Sequence, residues 1–344
     1  MMALPARTVV CLCLAMIVAT VEAVPQDESM ALFQEFIRKF NKTYESAEVF
    51  ESRFQAFQES LIRIAHQNRA GAESLATFGI TKFSDLTVSE FKKFYLLPEG
   101  SLHGTTESSH VTHARAMPRS VLPQAFDWRQ TPGVVTYVQD QGQCGSCWAF
   151  SAVENIESVW ALQGPVPHIA PHLSVGQVVD CDHLSHGCNG GDPKTAYNYV
   201  VKAHGLESSE TYPYFPESSL CQHGRGPKVA NITGFERITT TRNETAMQAY
   251  LVTQAPLSVC VEADTWMDYD NGIIMNVTGC GTHLDHCVQV TGYNSTVLAN
   301  GAAVDYWIVR NSWGADWGNG GYLYIQRGYD VCGIAQEVTS AYIR

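Results

Sequence analysis

With 344 residues, 45% of them hydrophobic, the chain is long enough for one large or two ordinary domains with a sizeable core. A formal net charge of -12 argues against nucleic acid as a partner. Eleven cysteines argue against a reducing cytosol and for an oxidising compartment.

The N-terminus agrees with that compartment. Arg7 precedes an apolar run over 9–21, and Val21-Glu22-Ala23 offers small residues for cleavage. Residues 1–23 therefore read as a secretory signal, too short to span a bilayer comfortably. No later segment is apolar enough to be a membrane span. Sequons at Asn41, Asn231, Asn243, Asn276 and Asn294 are candidate glycan sites in an exported chain.

From 26 to about 99 the pattern is helical. Leu32, Phe33, Phe36, Ile37 and Phe40 make one apolar stripe; Phe50, Phe54, Phe57, Leu61 and Ile64 make another. A short strand-like piece, 77–85, leads to a helix through Phe91 and Phe94. Residues 97–117 are rich in His, Ser, Thr and Gly without periodicity, so an exposed linker and a domain boundary belong there. The second domain begins near Leu122.

Its first landmark is the run from Gln141 to Ser151. Ser146 reads as an N-cap, and Ala149, Val153, Ile156 and Trp160 recur at helical spacing until Gly164-Pro165. Cys147 thus falls in the first turn of a buried helix, where the positive end of the helix dipole favours thiolate over thiol. A loop-rich stretch follows, with Cys181, Cys188-Asn189-Gly190-Gly191, a helix near 196–203 and Cys221. From about 238 the pattern turns to short strands at 259–263, 287–293, 306–310 and 322–327, as expected for a barrel-like antiparallel sheet.

A thiolate nucleophile needs a base, and the base needs an orienting partner. Leu284-Asp285-His286 runs into the strand that starts at Cys287, and Asn311-Ser312-Trp313-Gly314 follows another. Together with Cys144-Gly145-Ser146-Cys147-Trp148, these motifs resemble the papain family of cysteine proteases. That resemblance implies an α+β, two-lobed fold behind a helical inhibitory propeptide. The propeptide and linker would occupy 24–121 and the peptidase domain 122–344, with a helical lobe at about 130–235 and a β lobe at about 236–340. It implies Cys147 as nucleophile, His286 as its acid/base partner, Asn311 as orienter of the imidazole and Gln141 as oxyanion donor. Trp313 would cover the Asn311–His286 hydrogen bond. Gly190 and Gly191 would offer backbone to the peptide, with Leu284, Asp285, Cys260, Cys287 and Glu337 lining its side-chain pockets. His286 falls within the spacing of about 130–150 residues after the cysteine; Asn311 lies beyond it, with 294–303 as an inserted hairpin loop. In the propeptide, Arg53, Phe57, Ile64, Asn68, Gly79, Phe83 and Asp85 match, whereas Val49, Ser60 and Thr81 stand where other residues are usual.

The resemblance also implies disulfides Cys144–Cys188, Cys181–Cys221 and Cys280–Cys332. Cys260 and Cys287 are left over, and the expectation is two buried thiols, either inert or sensitive to oxidation. Glu337 either pairs with a basic side chain of the substrate or turns to solvent. No cofactor and no metal is expected; His283 and His286 alone do not make a metal site. Expected partners are peptide substrates, the chain's own propeptide and cystatin-type inhibitors, acting on a monomer in the lysosome or outside the cell. Two other readings stay open at this stage: a Cys144–Cys147 redox dithiol, and an inactive protease fold serving as a binding protein.

Overall fold

A computed structural model describes residues 25–70, 75–102, 111–113, 122–165, 169–222, 224–276 and 280–343. The signal segment and most of the 97–117 linker, His103 and His110 included, lie outside them. Two helices open the structure, α1 (Gln26–Lys39) and α2 (Ala47–Ala70). Both apolar stripes meet between them, where Phe33, Phe36, Phe54 and Phe57 form a closed aromatic cluster. Strand β1 (Leu75–Phe78) and helix α3 (Val88–Tyr95) follow. Thr87 and Glu90 cap α3 reciprocally, satisfying backbone donors that a helix start leaves open. Asp85 ties these elements together: its carboxylate accepts from Lys42 Nζ at 2.9 Å and Tyr44 Oη at 3.0 Å, while Arg53 reaches its carbonyl.

Next come β2 (Val111–His113), β3 (Phe126–Asp127) and the central helix α4 (Cys147–Gln163). Helices α5 (Val175–Cys181) and α6 (Pro193–Lys202) complete the helical lobe. The β lobe contains β4 (Gly234–Arg237), α7 (Glu244–Thr253), β5 (Leu257–Val261), β6 (Tyr269–Ile274), β7 (His286–Val297), β8 (Ala303–Arg310), β9 (Tyr322–Gln326) and β10 (Glu337–Tyr342). The sheet order is β1-β6-β9-β8-β7-β5-β10-β4-β2, with β3 added to β7. The sheet is mostly antiparallel, but β6–β9 and β2–β4 are parallel pairs.

Helix α4 is buried nearly all round, as its apolar sequence requires, and it joins the two lobes. Ser151 Oγ donates to the Val288 carbonyl, and Gln289 Nε2 donates to the Glu154 carbonyl. Arg310, fully buried on β8, lies 3.3 Å from Glu154. Burial nevertheless pushes the Glu154 carboxyl up to about 8, with Arg310 opposing.

Four expectations change on the structure. Ser146 precedes α4 but makes no side-chain cap; its hydroxyl instead meets Tyr214 Oη at 2.8 Å. The 294–303 insertion extends the strands themselves, to Val297 and from Ala303, around a short turn. Helices α5 and α7 are additional, and both are short, 7 and 10 residues. The linker is not exposed throughout: Leu97 is only 5% exposed, and residues 111–113 pair with β4.

Candidate active site

The site lies where the start of α4 meets the start of β7. Cys147 is the first residue of α4 and His286 the first of β7; both are fully buried. Asn311 follows directly on β8, and its Oδ1 lies 2.7 Å from His286 Nε2. That same Oδ1 accepts the Ser312 backbone N–H at 2.8 Å. Two donors on one oxygen fix the amide's orientation, so Nε2 carries the imidazole proton. Nδ1 is then the basic nitrogen, and it is buried with no hydrogen-bond partner among the described residues.

Trp313 stacks on the imidazole, with ring centroids 4.7 Å apart, and Trp266 meets it edge-on at 6.0 Å. Water therefore has no approach to the His286–Asn311 bond from that side. Gln141 is held by Ser312, whose hydroxyl donates to Oε1 at 2.7 Å. This leaves Nε2 of Gln141 aimed at the carbonyls of Cys144 (2.9 Å) and Tyr95 (3.1 Å).

The Tyr95 carbonyl belongs to the segment that fills the cleft. Leu97 donates its backbone N–H to the Asp285 carbonyl at 2.6 Å and shares an apolar cluster with Cys147, Cys260 and Cys287. Leu284 packs on the edge of that cluster. Gly190, at φ +104°, faces Ser101 and Pro98 so closely that a Cβ would lie 2.6 Å from Ser101 Oγ. Gly191 is glycine for another reason: a Cβ there would strike the Trp148 ring at 2.5 Å.

The electrostatics follow from this closure. Burial pushes the Cys147 thiol up to about 12, against backbone hydrogen bonds from Cys287, Trp148 and Cys147 itself. Burial also lowers His286 to about 4, against the Asn311 bond. The helix dipole favours a thiolate, but desolvation outweighs it while the cleft is filled. With the cleft filled, burial thus favours the Cys147 thiol and the neutral His286 imidazole over the thiolate expected from the sequence.

Disulfides join Cys144–Cys188, Cys181–Cys221 and Cys280–Cys332. The expectation of free thiols at Cys260 and Cys287 fails: the two are bonded to each other. They stand directly opposite on β5 and β7, where an antiparallel ladder brings Cβ atoms close enough for a bridge. Cys147 is the free cysteine among the described residues. Glu337, next to Cys260 in register, neither turns to solvent nor stands unpaired. Its carboxylate lies 3.0 Å from Lys194 Nζ and 3.4 Å from Arg237 Nη2. Asn41, Asn231, Asn243 and Asn276 are exposed and Asn294 is half-buried.

The profile of the papain family cysteine proteases matches residues 122–342, and that of the cathepsin propeptide inhibitor domain matches 33–91. The chain belongs to the papain family of cysteine proteases. This protease is 36% identical to cysteine proteinase 1 of Dictyostelium discoideum, over 92% of its own length and 93% of the relative's. It is 35% identical to cathepsin F of Mus musculus, covering 94% of this chain and 67% of that one. Among solved structures, a recombinant stem bromelain precursor superposes with a TM-score of 0.80 at 32% identity, over 92% of this chain and all of that one (100%). Procathepsin L 3 of Tenebrio molitor larval midgut gives 0.78 at 28% identity, over 92% and 99%. The protease is made as a zymogen whose inhibitor domain is part of the same chain.

Three residues of the site were not singled out in the sequence. Ser312 could have been found from its place between Asn311 and Trp313. Trp266 and Lys194 carry no such signal, because each reaches the site only through the packing of distant strands and helices.

Proposed function

We propose that this cysteine protease cleaves peptide bonds with Cys147 as nucleophile, His286 as acid and base, Asn311 as orienter and Gln141 as oxyanion donor. One observation carries the assignment: Asn311 commits Nε2 of His286 and leaves Nδ1 as a buried base, unpartnered among the described residues, while Cys147 opens helix α4 as the free thiol among them. Nδ1 takes the thiol proton when the cleft opens, and the thiolate adds to the scissile carbonyl carbon. The oxyanion is met by Gln141 Nε2 and the Cys147 backbone N–H, and the amide now spent on Tyr95 becomes available. His286 returns the proton to the departing amine as the C–N bond breaks. It then deprotonates water, which attacks the thioester and releases the acid and the Cys147 thiol. Trp313 keeps the imidazole dry, and Gly190 and Gly191 present backbone to an extended peptide. Leu284, Asp285 and the Cys260–Cys287 bridge line its pockets, and Glu337 sits behind them as a neutralised residue.

The same reading covers the biology. Signal, sequons and disulfides support export toward the lysosome or the cell exterior, with action as a monomeric endopeptidase in protein turnover and inhibition by cystatin-type proteins. The propeptide leaves by cleavage near 117–122, favoured by acid. The blocks Phe78-Gly79-Ile80-Thr81-Lys82-Phe83-Ser84 and Ala263-Asp264-Thr265-Trp266-Met267-Asp268-Tyr269 resemble the cathepsin O branch of the family. The decisive test is Cys147→Ser in the full chain, followed by acidification. Peptidase activity and stoichiometric labelling by an epoxide electrophile should both vanish while circular dichroism stays unchanged. More than trace turnover in that variant refutes the assignment.

A further inference from the structure

Beside His286, the β lobe carries a pair of carboxyl groups. Asp285 precedes His286 in sequence and is only 9% exposed. Its Oδ1 accepts the Ala263 backbone N–H at 2.7 Å, which holds the side chain in place. Asp285 also shares a hydrogen bond with Asp264, and burial followed by that bond pushes Asp285 up to about 8. The two carboxyl groups thus lie side by side, Asp285 on the buried side and Asp264 on the side that Lys92 meets. Glu262 adds to the field, but its own oxygens are occupied by the N–H groups of Gly281 and His283.

An ammonium group already sits on this pair. Lys92, in the last turn of α3, places Nζ on Asp264 Oδ2. Beneath it a cavity of about 500 Å³ is lined by Lys92, Leu97, Glu99, Asp264, His283 and Asp285. Three of these, Lys92, Leu97 and Glu99, belong to the inhibitory segment and depart with it. Maturation thus removes the ammonium partner of Asp264 and opens the site, leaving Asp264, Asp285, His283, Cys188 and Asn189 around it. Its place relative to the chemistry follows from His286, which protonates the departing amine. Asp285 directly precedes that histidine, so the pocket adjoins the group that serves the leaving half of the substrate.

We propose that Asp264, backed by Asp285, selects substrates with lysine or arginine just after the scissile bond, Lys92 holding that seat in the zymogen. This rests on the assignment of Cys147 and His286 made above. The test uses the full chain, activated in acid, and peptides that differ only at the two positions following the cleaved bond. Lysine or arginine there should raise kcat/KM about three- to fivefold over leucine or alanine, the range of a partly exposed ion pair. Asp264→Asn should flatten that preference with little effect on alanine peptides, and Asp264→Lys should turn it toward glutamate. Raising salt from about 0.05 to about 0.5 M should shrink it in the unmodified enzyme, with no substitution needed. Robust turnover with a flat profile, or a basic preference untouched by salt or by Asp264→Asn, overturns the proposal and leaves the nucleophile assignment intact. Absence of all turnover overturns both.

Discussion

Removing Arg63 should unlock the zymogen. Arg63, on α2, donates through Nε to Asp268 Oδ2 and through Nη2 to Oδ1 at 2.9 Å. The side chain of Asp268 is completely buried while that of Arg63 is 23% exposed. Without the guanidinium, the Asp268 carboxylate keeps, among the described residues, the Ser60 hydroxyl at 3.2 Å. A buried carboxylate stripped of its partner costs about 3–5 kcal/mol. Discounted for the exposure of Arg63, roughly 2 kcal/mol remains. The open state does not incur that cost, because there Asp268 regains water. Closure should therefore weaken by about 30-fold in Arg63→Ala. The assay is the rate at which peptidase activity appears after the full-length precursor is brought to a fixed, mildly acidic pH. Arg69→Ala, an exposed position on the same helix, is the control. Asp268→Asn added to Arg63→Ala should restore part of the closure, since an amide is cheaper to bury than a charge. An Arg63→Ala precursor that activates within twofold of the control would show that this ion pair does not hold the propeptide.

Three further outcomes are expected. Glu337→Ala should leave the ratio of arginine to hydrophobic cleavage at the second residue before the scissile bond unchanged, because Lys194 and Arg237 already neutralise the carboxylate; a clear loss of arginine substrates in library profiling would contradict this. Non-reducing peptide mapping should recover Cys260 and Cys287 in one linked pair and Cys147 as a thiol; labelling of either Cys260 or Cys287 would refute the bridge. Closure should weaken as pH falls from about 6.5 to about 4, because an open His286 binds a proton over that window and the buried one does not, a difference of up to about 3 kcal/mol. Limited proteolysis of the Cys147→Ser precursor across pH would read this, and a His286→Asn version with the same midpoint would exclude the histidine as a contributor.

Much of the site was legible because its chemistry sits in contiguous motifs. The run around Cys147 announces its own helix, and Asn311-Ser312-Trp313 puts the hydrogen bond to His286, the hydroxyl on Gln141 and the ring stacked on the imidazole on three successive residues. The aromatic stripes of the propeptide were equally plain, since Phe33 and Phe57 recur at helical spacing. What could not be read depends on registration between distant strands. Cys260 and Cys287 look unpaired until β5 and β7 are aligned residue against residue, and Glu337 looks available until α6 brings Lys194 beside it. Helix α5 was missed because seven residues are too few for a period to emerge. Helix α7 hides its period behind apolar residues spread around its circumference, among them Met247, Ala249, Tyr250 and Leu251, all buried. The balance acting on the Cys147 thiol was only half readable: the dipole is local, whereas the desolvation that opposes it in the closed form comes from a segment about fifty residues upstream.

The inhibitory segment does one more thing besides filling the cleft. It supplies both outermost strands, β1 against β6 and β2 against β4. Cleavage near residues 117–122, as proposed above, would leave β6 and β4 as bare rims, each with a row of unspent amide and carbonyl groups. Shielding two sheet rims is thus a second task that the precursor segment performs, distinct from blocking the cleft.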